Sequence, residues 1–220
     1  MEMDKKHNQL AIENLSGERG DYLLFENIGL ELQSGQLLFL KGKNGSGKTT
    51  LLKMIAGLIS IEKGDIVWNG RSIKKNQSRF FSESLYIGHL NGLKDDLSAI
   101  ENLTISSNIS GHKLNNKEAR KALNFFGLEG KLNTPVKYLS QGQKRRVSLS
   151  KLFNSKESLW ILDEPFSSLD FSAVEKLKEL FLSHLKSSGI LILSSHQEIN
   201  LTKNFNGQFI IDLSGEKFDA

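Results

Sequence analysis

Gly42-Lys43-Asn44-Gly45-Ser46-Gly47-Lys48-Thr49 matches the phosphate-binding loop pattern at every fixed position. Its flanks agree with it: Leu37-Leu38-Phe39-Leu40 reads as a short apolar strand, and Thr49 to Ile59 places apolar residues at helical spacing. Glycines let such a loop curl, so that successive N–H groups and the positive end of the following helix point at a polyphosphate. Lys48 then offers a point charge to the β and γ oxygens, and the Thr49 hydroxyl is a hard oxygen ligand for Mg²⁺. The eight loop residues and Thr50 are the candidate nucleotide contacts.

Working outward, Leu159-Trp160-Ile161-Leu162 and Ile190-Leu191-Ile192-Leu193 repeat the pattern of short, apolar, buried strands, as in a parallel sheet covered on both faces. Ala173 to Leu185 reads as a helix through Val174, Leu177, Leu180, Phe181 and Leu185. Strands alternating with helices imply an α/β core. The first part differs. Leu10 to Leu32 reads as short strands broken at Ser16-Gly17 and Gly20-Asp21, and Gly64 to Gly70 as a strand closed by an Asn-Gly turn, so a small antiparallel sheet is expected beside the core. From Ser98 to Phe126 the spacing turns helical, which suggests an inserted helical subdomain. The expected organisation is one domain over 1–220, with 1–90 and 156–220 forming the β subdomain and core and about 91–155 the helical part.

The 29 Lys and Arg against 25 Asp and Glu leave a charge of only +4, spread along the chain, so a solvated surface is expected and no nucleic-acid partner. With no cysteine, a disulfide framework and cysteine-ligated metal are excluded. The polar start, Met1 to Gln9, lacks the apolar stretch of a signal peptide, and the apolar clusters are far shorter than the roughly 18–20 residues that span a bilayer. A cytoplasmic address is expected, with any membrane role borrowed from a partner.

Leu159 to Glu164 delivers two carboxylates at a strand end, where ligands bind in open α/β sheets. Asp163 is placed to hold the Mg²⁺ shell, and Glu164 to orient and polarise the water that attacks the γ-phosphate.

Three further stretches occur in a telling order: Leu139-Ser140-Gln141-Gly142-Gln143 resembles the LSGGQ signature, Ser167-Ser168-Leu169-Asp170 resembles a D-loop, and Leu193-Ser194-Ser195-His196 resembles a switch-histidine strand. With the phosphate loop and acidic strand end, the chain resembles an ATP-binding-cassette (ABC) ATPase subunit over nearly its whole length. The resemblance implies a P-loop NTPase of α/β class, with an N-terminal antiparallel β subdomain and an inserted α-helical subdomain. It also implies ATP and Mg²⁺ as cofactors and a homodimer packed head to tail. In that dimer Ser140, Gly142 and Gln143 of one copy face the phosphate loop of the other, and His196 contacts the γ-phosphate and helps hold the Glu164 water. Lys144-Arg145-Arg146, inside the signature helix, reads as exposed helix charge, with phosphate or subunit contact as the functional alternative.

The departures are informative. Gln141 stands where the signature usually has Gly. Where the family has its Q-loop glutamine, this chain reads Tyr86-Ile87-Gly88-His89-Leu90-Asn91, with His89 as positional equivalent and Asn91 as runner-up. Tyr22 is the nearby aromatic for stacking adenine, although Arg19 could stack and Tyr22 could simply pack. Tyr86-Ile87-Gly88-His89 with its short connection to Gly92-Leu93-Lys94, then Leu97 to Leu103, Leu159 to Phe166 and Ser195-His196-Gln197, are similar to the haem-exporter ATPase subgroup of cytochrome c maturation. That likeness implies integral membrane permease subunits as partners, a peripheral position on the cytoplasmic face of the inner (cell) membrane, and no haem bound by this chain. No haem-attachment motif surrounds its five histidines, of which His112 and His184 read as surface residues. Another ABC exporter, or a soluble ABC ATPase, are the alternatives.

Overall fold

Alternating burial builds the first sheet. Along Gln9–Arg19 (β1) Leu10, Ile12 and Leu15 turn inward, and along Tyr22–Gln33 (β2) Phe25, Ile28 and Leu32 do the same. These strands belong to a computed structural model that describes residues 7–111, 113–196 and 207–214. The chain continues through Leu37–Lys41 (β3), Lys48–Ile55 (α1), Lys63–Trp68 (β4), Arg71–Ser72 (β5), Gln77–Glu83 (α2) and Ser84–Ile87 (β6). Ala99–Ile109 (α3), Asn116–Phe125 (α4) and Gln141–Leu149 (α5) follow, then Leu159–Asp163 (β7), Phe171–Lys186 (α6), Ile190–Ser194 (β8) and Gln208–Asp212 (β9).

The described residues fall into two units, one within Met1–Tyr86, Glu157–Glu164 and Leu182–Ala220, the other within Ile87–Lys156 and Pro165–Phe181. Residues 165–181 therefore group with the helices, whereas the sequence placed all of 156–220 with the core. The reason is local bonding inside that unit. Arg145 Nε reaches the Pro165 carbonyl at 3.4 Å, Arg146 lies 3.8 Å from the Asp170 carboxylate, and Lys176 lies over the Phe125 ring.

In the first unit an antiparallel sheet of order β2-β1-β4-β5 accompanies a five-stranded sheet of order β6-β7-β8-β3-β9. Ser16-Gly17 does not break β1; the register shifts between Ile12 and Glu18, where Asn14 takes a left-handed backbone, and the bulge absorbs the irregularity within one strand. In the second sheet β3 runs parallel to β8 and β9, and β7 parallel to β8. Leu40 and Asp163 both pair with Ser194, so β3, β7 and β8 end level with one another. Helix α1 is shorter than the spacing predicts. The Gly57 N–H donates to the Met54 carbonyl and the Leu58 N–H to that of Lys53, closing the helix and leaving Leu58 and Ile59 exposed.

The second unit packs Leu103, Leu123, Val136, Leu139 and Val147 into its own core. Its helices begin at reciprocal caps: Ser98 with Glu101 for α3, Asn115 with Glu118 for α4, and Ser140 with Gln143 for α5.

His184 is no surface residue. Its ring stacks on Trp160, with centroids 3.9 Å apart, and its Nε2 lies 3.1 Å from the Ile190 carbonyl. Burial pushes its pKa down to about 4, against the opposite pull of the Ile190 carbonyl and Glu157. Because the folded value lies below the ordinary 6.5, the unfolded chain takes up a proton in that interval that the folded chain refuses. Stability is thus fully present above about pH 6.5 and is lost as pH falls towards 4, to a limit of ~3 kcal/mol. Melting curves at neutral pH and at pH 5 should show a smaller acid-induced drop for His184→Gln than for the wild type; parallel drops would refute this. His112, the other residue read as superficial, lies outside the described residues.

Candidate nucleotide site

The level strand ends of the first unit fix the site. Gly42 follows β3, Glu164 follows β7, and His196 lies two residues beyond β8. The loop needs its glycines. Gly47 caps α1 with φ +101°, and a Cβ on Gly42 would come 2.5 Å from Ser46 Oγ. Lys48, the first residue of α1, is 6% exposed; its ammonium donates to the loop's own carbonyls at Gly42 (2.7 Å) and Lys43 (3.1 Å). Ser46 Oγ is buried with no hydrogen-bond partner among the described residues, which leaves a hydroxyl free for a ligand. Lys43, Asn44 and Gly45 are exposed and Thr50 is partly buried.

From the loop a hydrogen-bonded line crosses to β7 and β8. Thr49 Oγ1 donates to Asp163 Oδ2 at 2.8 Å, Ser194 Oγ donates to Asp163 Oδ1 at 2.8 Å, and the Glu164 N–H donates to Ser194 Oγ at 3.1 Å. Asp163 is 1% exposed, so its orientation is set by these hydroxyls and not by solvent. Glu164 has φ +49°, a left-handed conformation that costs a non-glycine residue energy and recurs at functional sites. Its Oε1 lies 3.1 Å from His196 Nε2, and the histidine side chain is 47% exposed. The structure thus brings Lys48, Thr49, Asp163, Glu164 and His196 together in one unit. Ser194 was missed as a site residue; a polar residue closing an apolar strand directly across from Asp163 was the available signal.

The residues fit a nucleotide-bound Mg²⁺. Thr49 and Asp163 present two hard oxygens side by side, the donor set this ion takes when phosphates and water complete its shell.

The remaining candidates lie in the second unit. His89 is exposed in the bend after β6, while Asn91 is tied down: its Oδ1 accepts from Arg145 Nη1 at 3.4 Å and its carbonyl from Ser148 Oγ at 3.1 Å. Ser140 caps α5, its Oγ accepting the Gln143 N–H at 3.2 Å while its own N–H donates to Gln143 Oε1 at 2.9 Å. Gly142 permits a close approach, since a Cβ there would stand 2.6 Å from the Ser168 carbonyl oxygen. Asp170 caps α6 through the Ala173 N–H, and its carboxylate lies 3.8 Å from Arg146. Lys144-Arg145-Arg146 is not an exposed charge run, because Arg145 is 3% exposed and the other two are partly buried. In the first unit Tyr22 is 79% exposed, which removes ordinary packing as its role, and it pairs across the hairpin with Arg19.

Comparison with known proteins agrees with this geometry. Residues 25–167 match the ABC transporter family. The chain is 46% identical over 183 residues, 83% of its length and 89% of the relative's, to the cytochrome c biogenesis ATP-binding export protein CcmA of Nitrosospira multiformis. It is 43% identical over 192 residues, 87% of its length and 94% of the relative's, to CcmA of Dechloromonas aromatica. Among solved structures, an ABC transporter ATP-binding protein from Pyrococcus furiosus superposes with a TM-score of 0.78 at 28% identity, covering 92% of this chain and 96% of that one. A phosphate loop hydrogen-bonded to the acidic end of a parallel strand, in a chain with such relatives, has one reading: this protein belongs to the ABC transporter ATPase family.

Proposed function

We infer that this chain is the ATP-hydrolysing subunit of a cytochrome c maturation or haem-export complex, docked peripherally on integral membrane subunits at the cytoplasmic face of the cell membrane. The observation that carries the catalytic part is the line Thr49–Asp163–Ser194–Glu164, with His196 beside Glu164. The relatives named for cytochrome c biogenesis support the rest. No helix among the described residues is long and apolar enough to cross a membrane.

In this reading the N–H groups of residues 42–49, with Thr50, cradle the triphosphate, and Lys48 leaves its loop carbonyls for the β and γ oxygens. Thr49 and Asp163 hold Mg²⁺, which neutralises charge on the phosphates. Glu164 accepts a proton from the attacking water and His196 steadies that water and the γ-phosphate. Tyr22 stacks on adenine. Ser140, Gly142 and Gln143 act from a second copy, and His89 serves in place of the Q-loop amide.

The test is affinity purification of the tagged chain from membranes, combined with deletion of its gene. Recovery of an integral membrane subunit that stimulates ATP hydrolysis, together with loss of c-type cytochromes in the deletion strain, is the expected result. Recovery of a membrane subunit with normal cytochromes would point to a different exporter. Ribosomes or DNA in place of a membrane subunit would overturn transport altogether.

A further inference from the structure

One turn beyond the cap at Ser140, α5 buries a guanidinium. Arg145 Nη1 donates to the Gly88 carbonyl at 2.8 Å and reaches Asn91 Oδ1 at 3.4 Å, while its Nε reaches the Pro165 carbonyl at 3.4 Å. Ser148, on the same helix, donates to the Asn91 carbonyl. The segment Gly88–Asn91 is therefore fastened to α5 at both ends, and the residues between, His89 and Leu90, are exposed. The third partner, Pro165, follows directly on Glu164, whose backbone already holds a costly left-handed conformation. A single planar fork can satisfy carbonyls from two separate segments at once; an ammonium cannot reproduce that geometry.

We propose that Arg145 is a positioning residue for ATP hydrolysis: from the helix that opens on Ser140 it sets the backbone that carries His89 and the backbone that leaves Glu164. It acts through those two segments. The inference rests on the site assignment above, and it adds a tie from the signature helix to the backbone at Pro165, the residue that follows Glu164 in the chain. Small misplacements of such groups are felt in the chemical step far more than in ground-state binding.

The test uses the full chain with Arg145→Lys, which keeps the charge, and Asn91→Ala, singly and together. ATP affinity, KM, kcat and melting temperature are measured for each. Arg145→Lys should lower kcat by about ten- to a hundredfold while ATP affinity and KM stay within about twofold. In the double variant the kcat losses should fail to multiply, because both changes cut the same tie. A folded Arg145→Lys protein with wild-type kcat would overturn the proposal, as would a kcat loss that tracks a matching loss of ATP affinity and melting temperature. Failure of the underlying site assignment looks different: Glu164→Gln would then retain turnover, whatever Arg145→Lys does.

Discussion

Glu164→Gln binds ATP, loses turnover by about 10²- to 10⁴-fold, and accumulates as a nucleotide-trapped dimer; that is the result expected if Glu164 polarises the attacking water, as we propose. The substitution is nearly isosteric. It leaves the N–H that donates to Ser194 Oγ and a side chain of the same length beside His196, so neither Asp163 nor the strand end is disturbed. What it removes is the capacity to take a proton. Steady-state phosphate release and gel filtration in the presence of ATP measure both halves of the claim. A variant that hydrolyses ATP at the wild-type rate would assign the base elsewhere, and His196 would be the next candidate.

Lys48→Ala acts on the other side of the reaction, before chemistry. The ammonium is buried in the loop and bonded to the carbonyls of Gly42 and Lys43, so truncation removes both the charge meant for the phosphates and the strut that shapes the loop. Hydrogen bonds to charged groups contribute about 1.5–3 kcal/mol each, which converts to roughly a ten- to hundredfold loss of ATP affinity. Calorimetric titration with ATP reads it directly; an affinity within twofold of the wild type would mean that the backbone N–H groups alone hold the triphosphate. Glu164→Gln should behave oppositely in the same titration.

Much of this site was legible in the sequence because short-range chemistry dictates it. A strand, a glycine loop and a helix in succession leave little choice about where a phosphate goes, and Asp163-Glu164 at a strand end follows from the same rule. The Asn69-Gly70 turn was likewise readable, joining β4 to β5. What escaped was burial decided at a distance. Arg145 looks like any helix charge until the carbonyls of Gly88 and Pro165, 57 and 20 residues away in the chain, come to meet it. His184 looks superficial at the end of an amphipathic helix until Trp160 covers its face. The end of α1 was misjudged because apolar spacing continued past it, while two N–H groups of the next turn folded back to close it. That Asn91 is engaged by α5 while His89 stands exposed needed the same distant information.

The cap on α5 sorts its polar atoms by direction. Ser140 Oγ spends a lone pair on the Gln143 N–H, and Gln143 spends its side-chain oxygen on the Ser140 N–H. Each acceptor thus has one lone pair engaged inside the turn. A hydroxyl keeps its proton when it accepts, and an amide keeps its NH₂. The cap therefore leaves the Ser140 O–H and the Gln143 NH₂ uncommitted, so an incoming anion can be received by either donor without breaking the bonds that close the turn.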